Sequence, residues 1–406
     1  MNDIILKADR VLVGEDLNLK EHMAVIVRDG KIEEIVPQAE CPVVEGAEVI
    51  DLKNTTLMPG MIECHNHLSI DATIPEHLEL LAWSTECELT LIALDGFRKD
   101  LMSGVTTARC MGDRFYIDVT LKKLIEQGKV AGPKLLAAGI GMKGSHGAGY
   151  IGSPHCGPEE IRKTARENLK KGVDLLKLFI TPGVPDPESE FVPSFLSLEE
   201  IAMAVSEAAR KKLPVAAHCI GGQGLKDCID GGVQVIEHMY MCTPQDAEWL
   251  ANSKCIVDFT SGIFLDPTRE ETLSANNAYR VRKNRPRVRE RLKLLMSTGV
   301  PYVLGTDAYH GYLYREVGYA VELGSDIVTA LKGVTSNAAK VCGLGDRIGS
   351  LKKGYAADII AVDGNPLTDV ECLANVPFVM QDGNIVKRLQ LASRNKMKNV
   401  EKQSET

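Results

Sequence analysis

From about position 57 to about position 348, short runs that are apolar on both faces alternate with longer amphipathic stretches. The runs are TLMPGMIE, VTTARC, PKLLAAG, LLKLFI, PVAAHC, VQVIEHM, CIVDFTSG and PYVLGTDA. A strand covered on both sides must be apolar on both sides, so these runs read as buried strands of a parallel sheet. The stretches between them carry helix punctuation. Ser197 with Glu200 makes a capping box ahead of an amphipathic run, and Thr243-Pro244 sets a cap residue before a proline at the first helical position. Gly172 follows Lys170-Lys171, as a left-handed C-terminal cap does. Eight strand signals, each followed by a helix signal, predict an α/β fold: a (β/α)8 TIM barrel over residues 57–348.

The flanks obey a different grammar. Residues 1–56 hold short alternating segments such as AVIVRDGKIEEIV, with Asp29-Gly30 as the hairpin turn. Residues 349–391 repeat the pattern in ADIIAVDGNPL and FVMQDGNIVKR, with Asp382-Gly383 in the turn. Together they predict one small β-sandwich domain built from both chain ends, and residues 392–406 read as a flexible polar tail.

Charge and thiol content narrow the partners. A net charge of −8 leaves no basic surplus for a polyanion, so nucleic acid is not expected. No uncharged apolar run approaches the roughly 18 residues of a membrane span, and the N-terminus lacks a signal peptide's apolar core. The 11 cysteines include no C-x-x-C pair, which fits reduced thiols in a cytoplasmic protein. A homo-oligomer is the expectation for such an enzyme, since closed oligomers are common.

Chemistry-bearing residues gather at the ends of the strand signals. His65 and His67 stand two apart in ECHNH and so share a side; Lys177, His218, His238 and Asp307 end the fourth, fifth, sixth and eighth runs. That is the face on which barrel enzymes build active sites. A single histidine in such a run is more often a satisfied core residue, and a single Asp after Gly-Thr is more often a helix cap. Four of only 9 histidines at the same end of separate strands, beside one aspartate, point instead to a metal centre.

Lys177 discriminates further. Its neighbours in DLLKLFI are apolar, and burial favours the neutral amine, which can take up CO2 as a carbamate. The resulting anion offers two oxygens to two metals. The expected site is therefore binuclear: His65, His67 and Asp307 on one ion, His218 and His238 on the other, and carbamylated Lys177 between them. Imidazole and oxygen donors suit Zn2+ best, with Mn2+, Co2+ or Ni2+ as substitutes.

At these residues the chain resembles the amidohydrolase superfamily of metal-dependent hydrolases, through MPGMIECHNH, the lysine of LLKLFI, AAHC, IEHM, GTDA and IGSLKKGYAADIIAVDGNPL. GVTTARCMGD and GMKGSHGAGY are similar to the prolidase-like group, which includes Xaa-Pro and Xaa-Arg dipeptidases and relatives of imidazolonepropionase. The resemblance implies cleavage of an amide in a small molecule or dipeptide, most simply by a dipeptidase or an N-acyl amino acid hydrolase. A hydroxide held between the metals attacks the carbonyl, and Asp307 carries the proton to the leaving nitrogen. Two other classes stand beside it: a ring-opening hydrolase of cyclic amides or an aminohydrolase, and a non-catalytic barrel. Deaminating relatives usually hold one metal and lack the lysine; a non-catalytic chain should have lost ligands.

Lesser candidates surround this set. His146 in the Gly-rich loop and Tyr240 after His238 are candidate substrate-binding residues, and Arg109 is either a carboxylate anchor or a structural ion pair with Asp113 or another neighbour. His155 and His310 are given no role. Cys64 and Cys219 adjoin ligands but face away, so they read as core. Glu63 stands where the family more often has Asp, and Met239 and Tyr240 where a glycine is commoner.

Overall fold

The computed structural model describes residues 3–147 and 151–389 and divides at Pro59/Gly60 and at Gly349/Ser350 into two compact units. The tail expected over 392–406, and residues 148–150 of the Gly-rich loop, lie outside the described residues.

The first unit opens with β1 (Ile4–Val13), β2 (Asn18–Arg28), β3 (Lys31–Pro37) and β4 (Glu48–Pro59). The central unit supplies β5 (Met61–Asn66), β6 (Val105–Cys110), β7 (Lys134–Leu136), β8 (Met142–Gly144), β9 (Ser153–His155), β10 (Leu176–Phe179), β11 (Val215–Cys219), β12 (Val235–His238), β13 (Ile256–Phe259) and β14 (Tyr302–Leu304). The chain then returns to the first unit with β15 (Ile359–Asp363), β16 (Phe378–Gln381) and β17 (Asn384–Arg388). There the seven strands form one sheet in the order β17-β16-β15-β4-β1-β2-β3, so both chain ends build it. Leu6, Val25, Ile50, Leu57, Ile359 and Phe378 are buried in its main cluster. Both Asp-Gly turns hold positive φ at each central residue (Asp29 49°, Gly30 76°; Asp382 48°, Gly383 74°), as a two-residue hairpin of natural twist requires.

In the central unit all pairings are parallel: a row β5-β6-β7 and a row β14-β13-β12-β11-β10-β8-β9. Backbone bonds also link the two rows. Asp307 N donates to His65 O at 2.9 Å, and Asp174 N donates to Ala137 O at 2.8 Å. The helices between strands start where the punctuation predicts: Ser197 and Thr243 both form capping boxes, and Gly172 caps its helix at φ 91°.

Two expectations need correction. The first run, TLMPGMIE, is not one strand: Leu57, Met58 and Pro59 finish β4, paired to β1 and β15, and the next strand begins at Met61. The side chain of Leu57 packs in the cluster of the small sheet, and Gly60, where a Cβ would meet the Thr106 side chain at 2.3 Å, lets the backbone leave it. The loop after the third strand contains β8 and β9, each three residues long and too short to show a period.

Candidate functional site

The six proposed ligands come together at the C-terminal ends of β5, β10, β11, β12 and β14. Ring centroids lie 5.3 Å apart for His65 and His67, 4.7 Å for His65 and His238, and 4.4 Å for His218 and His238. Asp307 Oδ1 is 3.5 Å from both His65 Nε2 and His67 Nε2, and one donor atom from each of these three residues falls within 4.8 Å of the others. Lys177 is fully buried on β10, with Nζ 5.3 Å from the Phe179 ring centroid.

The outer partners of the histidines decide which nitrogen faces inward. His65 Nδ1 is 2.7 Å from Glu237 Oε2, His67 Nδ1 is 2.8 Å from Gly112 O, and His238 Nδ1 is 2.7 Å from Thr260 Oγ1. Each leaves Nε2 for the centre. His218 is reversed: its Nε2 is 3.0 Å from Pro182 O, which leaves Nδ1. A second ring nitrogen held by carboxylate or carbonyl is the usual outer arrangement of a metal-binding histidine.

Burial also sets the protonation states that ligation needs. It pushes His67 down to about 3 and His218 down to about 4, and lowers His65 and His238 as well, so all four rings are neutral lone-pair donors near neutral pH. Burial likewise brings the Lys177 amine down to about 8, against the pull of Glu237 and Asp307. For Asp307 burial acts upward, but His65, His67 and Arg269 outweigh it and hold the carboxyl below its ordinary range. Lys177 Nζ and His65 Nε2 are both buried without a hydrogen-bond partner. A buried ammonium or imidazole left in that state is costly, so these atoms fit a bound cation and a modified amine better than they fit a closed core.

A mainly apolar cavity of about 370 Å3 opens onto this cluster and is lined by residues that include His67, Lys143, Phe179, Phe195, His218, His238, Tyr240, Arg269, Arg280 and Asp307. Of the lesser candidates, Tyr240 is in its wall, buried, with its hydroxyl donating to Thr260 O at 3.1 Å. His146 is exposed, with its ring edge-on to Phe195, and is not among the cavity residues. Arg109 lies beneath the centre. It donates to Glu237 Oε1 at 3.0 Å, Asp258 Oδ2 at 3.1 Å and Cys64 O at 2.8 Å, so it is a structural ion pair whose partners are not Asp113. His310 pairs with Asp100, and His155 with Thr164. Cys64 and Cys219 are buried in the core. Glu63 Oε1 accepts from His65 N at 2.9 Å and Thr306 N at 3.0 Å, tying the first strand to the loop that carries Asp307.

The sequence reading overlooked Glu237, Asp258 and Lys143. The first two are single acids inside apolar strand runs, the same signal that singled out Lys177. Lys143 stands in a strand too short to show that signal.

Comparison with known proteins places this geometry. The chain is 27% identical over 373 residues to ochratoxinase of Aspergillus niger, covering 82% of this chain and 75% of that protein. It is 28% identical over 404 residues to a 5-methylthioadenosine/S-adenosylhomocysteine deaminase of Saccharophagus degradans, covering 89% and 83%. The structure of a prolidase complexed with N-methylphosphonate-L-proline superposes with a TM-score of 0.85 at 26% identity, covering 96% of this chain and 100% of that one. The amidohydrolase family model matches residues 56–387, and the chain is an enzyme of the amidohydrolase family, hydrolases that act on carbon–nitrogen bonds.

Proposed function

We propose that this protein is a binuclear metal-dependent amidase that cleaves N-acyl amino acids or dipeptides, Xaa-Pro among them, in a closed (β/α)8 barrel of residues 57–348. In this reading the backbone bonds between the two parallel rows close the barrel, and the sheet from residues 1–56 and 349–391 folds over its buried cluster as a β-sandwich. The observation that carries the proposal is Lys177, a buried lysine whose amine has no hydrogen-bond partner among four neutral imidazoles and a carboxylate. The prolidase and ochratoxinase likenesses support an amide substrate.

His65, His67 and Asp307 would hold one divalent ion, Zn2+ by donor chemistry, and His218 and His238 the other, with carbamylated Lys177 shared. When bound, the ions supply Lewis acidity toward the carbonyl and lower the pKa of water. The chain does the rest. Asp307, ionised and partly open to the cavity, accepts the proton of the attacking water at a carboxylate oxygen and returns it to the leaving nitrogen. The apolar cavity wall excludes bulk water and holds the side chain of the substrate. Tyr240 lines the pocket beside His238, whereas His146, outside the cavity lining, sits edge-on to Phe195.

The deaminase likeness favours one second reading, an aminohydrolase or ring-opening hydrolase. A screen of dipeptides, N-acyl amino acids, cyclic amides and aminopurines with the Zn2+-loaded enzyme decides. Turnover of linear amides supports the proposal; deamination or ring opening alone contradicts it.

A further inference from the structure

The turn that carries Asp307 has its backbone groups bonded on both sides. Thr306 N donates to Glu63 Oε1 at 3.0 Å and Asp307 N to His65 O at 2.9 Å, so both amides are held from β5. Both carbonyls are held by one side chain from another part of the barrel. Arg269, in the 3-10 turn Pro267–Thr272 after β13, donates from Nη1 to Thr306 O at 2.7 Å and from Nη2 to Asp307 O at 3.1 Å. The backbone so gripped is strained, with φ of 55° at Asp307 and 67° at Ala308. Residues other than glycine stay in that region only where their surroundings over-determine it.

Arg269 is also a costly residue to keep there. It lines the cavity, is only 7% exposed, lies 4.7 Å from the Tyr309 ring centroid, and forms no ion pair among the described residues. The guanidiniums nearby are matched by acids: Arg109 pairs with Glu237 and Asp258, and Arg315 with Asp266. A buried charge without a counter-charge is unfavourable unless it does something in place. The hydrogen bonds of this one go to the two carbonyls of the Asp307 turn. A planar fork spans two acceptors at once, which a single ammonium does not.

We infer that Arg269 is a positioning residue for the proposed reaction: its fork fixes the turn that aims the Asp307 carboxylate at the metals and at the proton it carries. This rests on the amidase reading of the same site. The test is chemical rescue of Arg269→Ala by free guanidinium at tens of millimolar, far below denaturing strength, with urea as the neutral control of the same shape. At saturating metal, kcat on a linear amide should fall about a hundredfold with KM within about threefold, the signature of a misplaced group and not of lost substrate binding. Chelator competition should show metal held about tenfold more weakly. Guanidinium should restore much of both losses and urea neither. A kcat and metal affinity within about threefold of wild type overturn the inference, as does a loss that guanidinium leaves untouched or that urea relieves equally. Should Arg269→Ala not fold, Arg269→Lys carries the test: it keeps the charge without the fork, so kcat should still fall about tenfold, and wild-type kcat would overturn the inference. The chelator measurement needs no substrate. If no linear amide is turned over while guanidinium still restores metal affinity, the amidase reading has failed and the role of Arg269 stands.

Discussion

His238 and Asp307 hold φ at 81° and 55°, and the residues that follow them, Met239 and Ala308, at 58° and 67°. Side chains other than glycine pay on the order of 1–3 kcal/mol for such backbone, and they keep it where a site demands it. Here it turns two proposed ligands inward at the ends of their strands. The sequence reading noticed that Met239 replaces a commoner glycine but could not see the strain, because φ is a property of the folded strand end. The residues that gather at the strand ends were legible, since a charged or imidazole side chain in a two-faced apolar run has few other reasons to be there. Their outer partners were hidden because Glu237 reaches His65 across 172 positions of sequence. Two predictions belong at this scale. Asp307→Asn should lower kcat by about a thousandfold or more while metal analysis still finds most of the metal, the outcome for a proton carrier that is one ligand of several. Glu237→Gln, which weakens the grip on His65, should weaken metal affinity about 10–100-fold in a chelator competition, with smaller loss of kcat at saturating metal.

Among the elements, β14 and the loop after it must approach β5 closely. A Cβ on Gly305 would lie 2.4 Å from His65 Cβ and 2.5 Å from His65 N. Gly305→Ala should therefore displace the first strand's histidines, seen as lost metal binding with helix content by circular dichroism kept. The helix Glu86–Met102 supplies a second joint: Asp100 Oδ2 accepts from Asn66 Nδ2 at 2.8 Å and lies 2.8 Å from His310 Nδ1. Burial alone would lower His310, but Asp100 and Asp71 outweigh it and raise it above its ordinary 6.5. A raised imidazole stabilises the fold below the unfolded pKa and loses that contribution as pH climbs through the folded value. Urea unfolding should thus show wild type losing stability above about pH 6.5 more steeply than His310→Gln. Parallel slopes would refute the pairing. The eight strand runs and their caps were legible because buried strands and capping boxes are local signals. The short β8 and β9, and the division of the first run at Gly60, were not, since they are settled by tertiary pairing.

On the scale of the whole chain, no described helix is long and apolar enough to cross a membrane, and all 11 cysteines are free thiols. The two-ended small sheet was legible in the Asp-Gly turns, and the parallel architecture in the alternation of runs. Substrate identity was not, because the cavity wall is assembled from strand ends, loops and helices far apart in the sequence, whose meeting carries no local signal. Ions that bind only the folded site stabilise it by mass action, so stripping metal with a chelator should lower the melting temperature and re-adding Zn2+ should restore it. An unchanged melting temperature would contradict a resident metal. The most direct test is a crystal structure of the protein fully loaded with metal in bicarbonate buffer. The account predicts about two ions per chain with carboxylate density continuous with Lys177 Nζ and lying between them. An unmodified Lys177 amine, remote from any ion in a metal-saturated site, would contradict it.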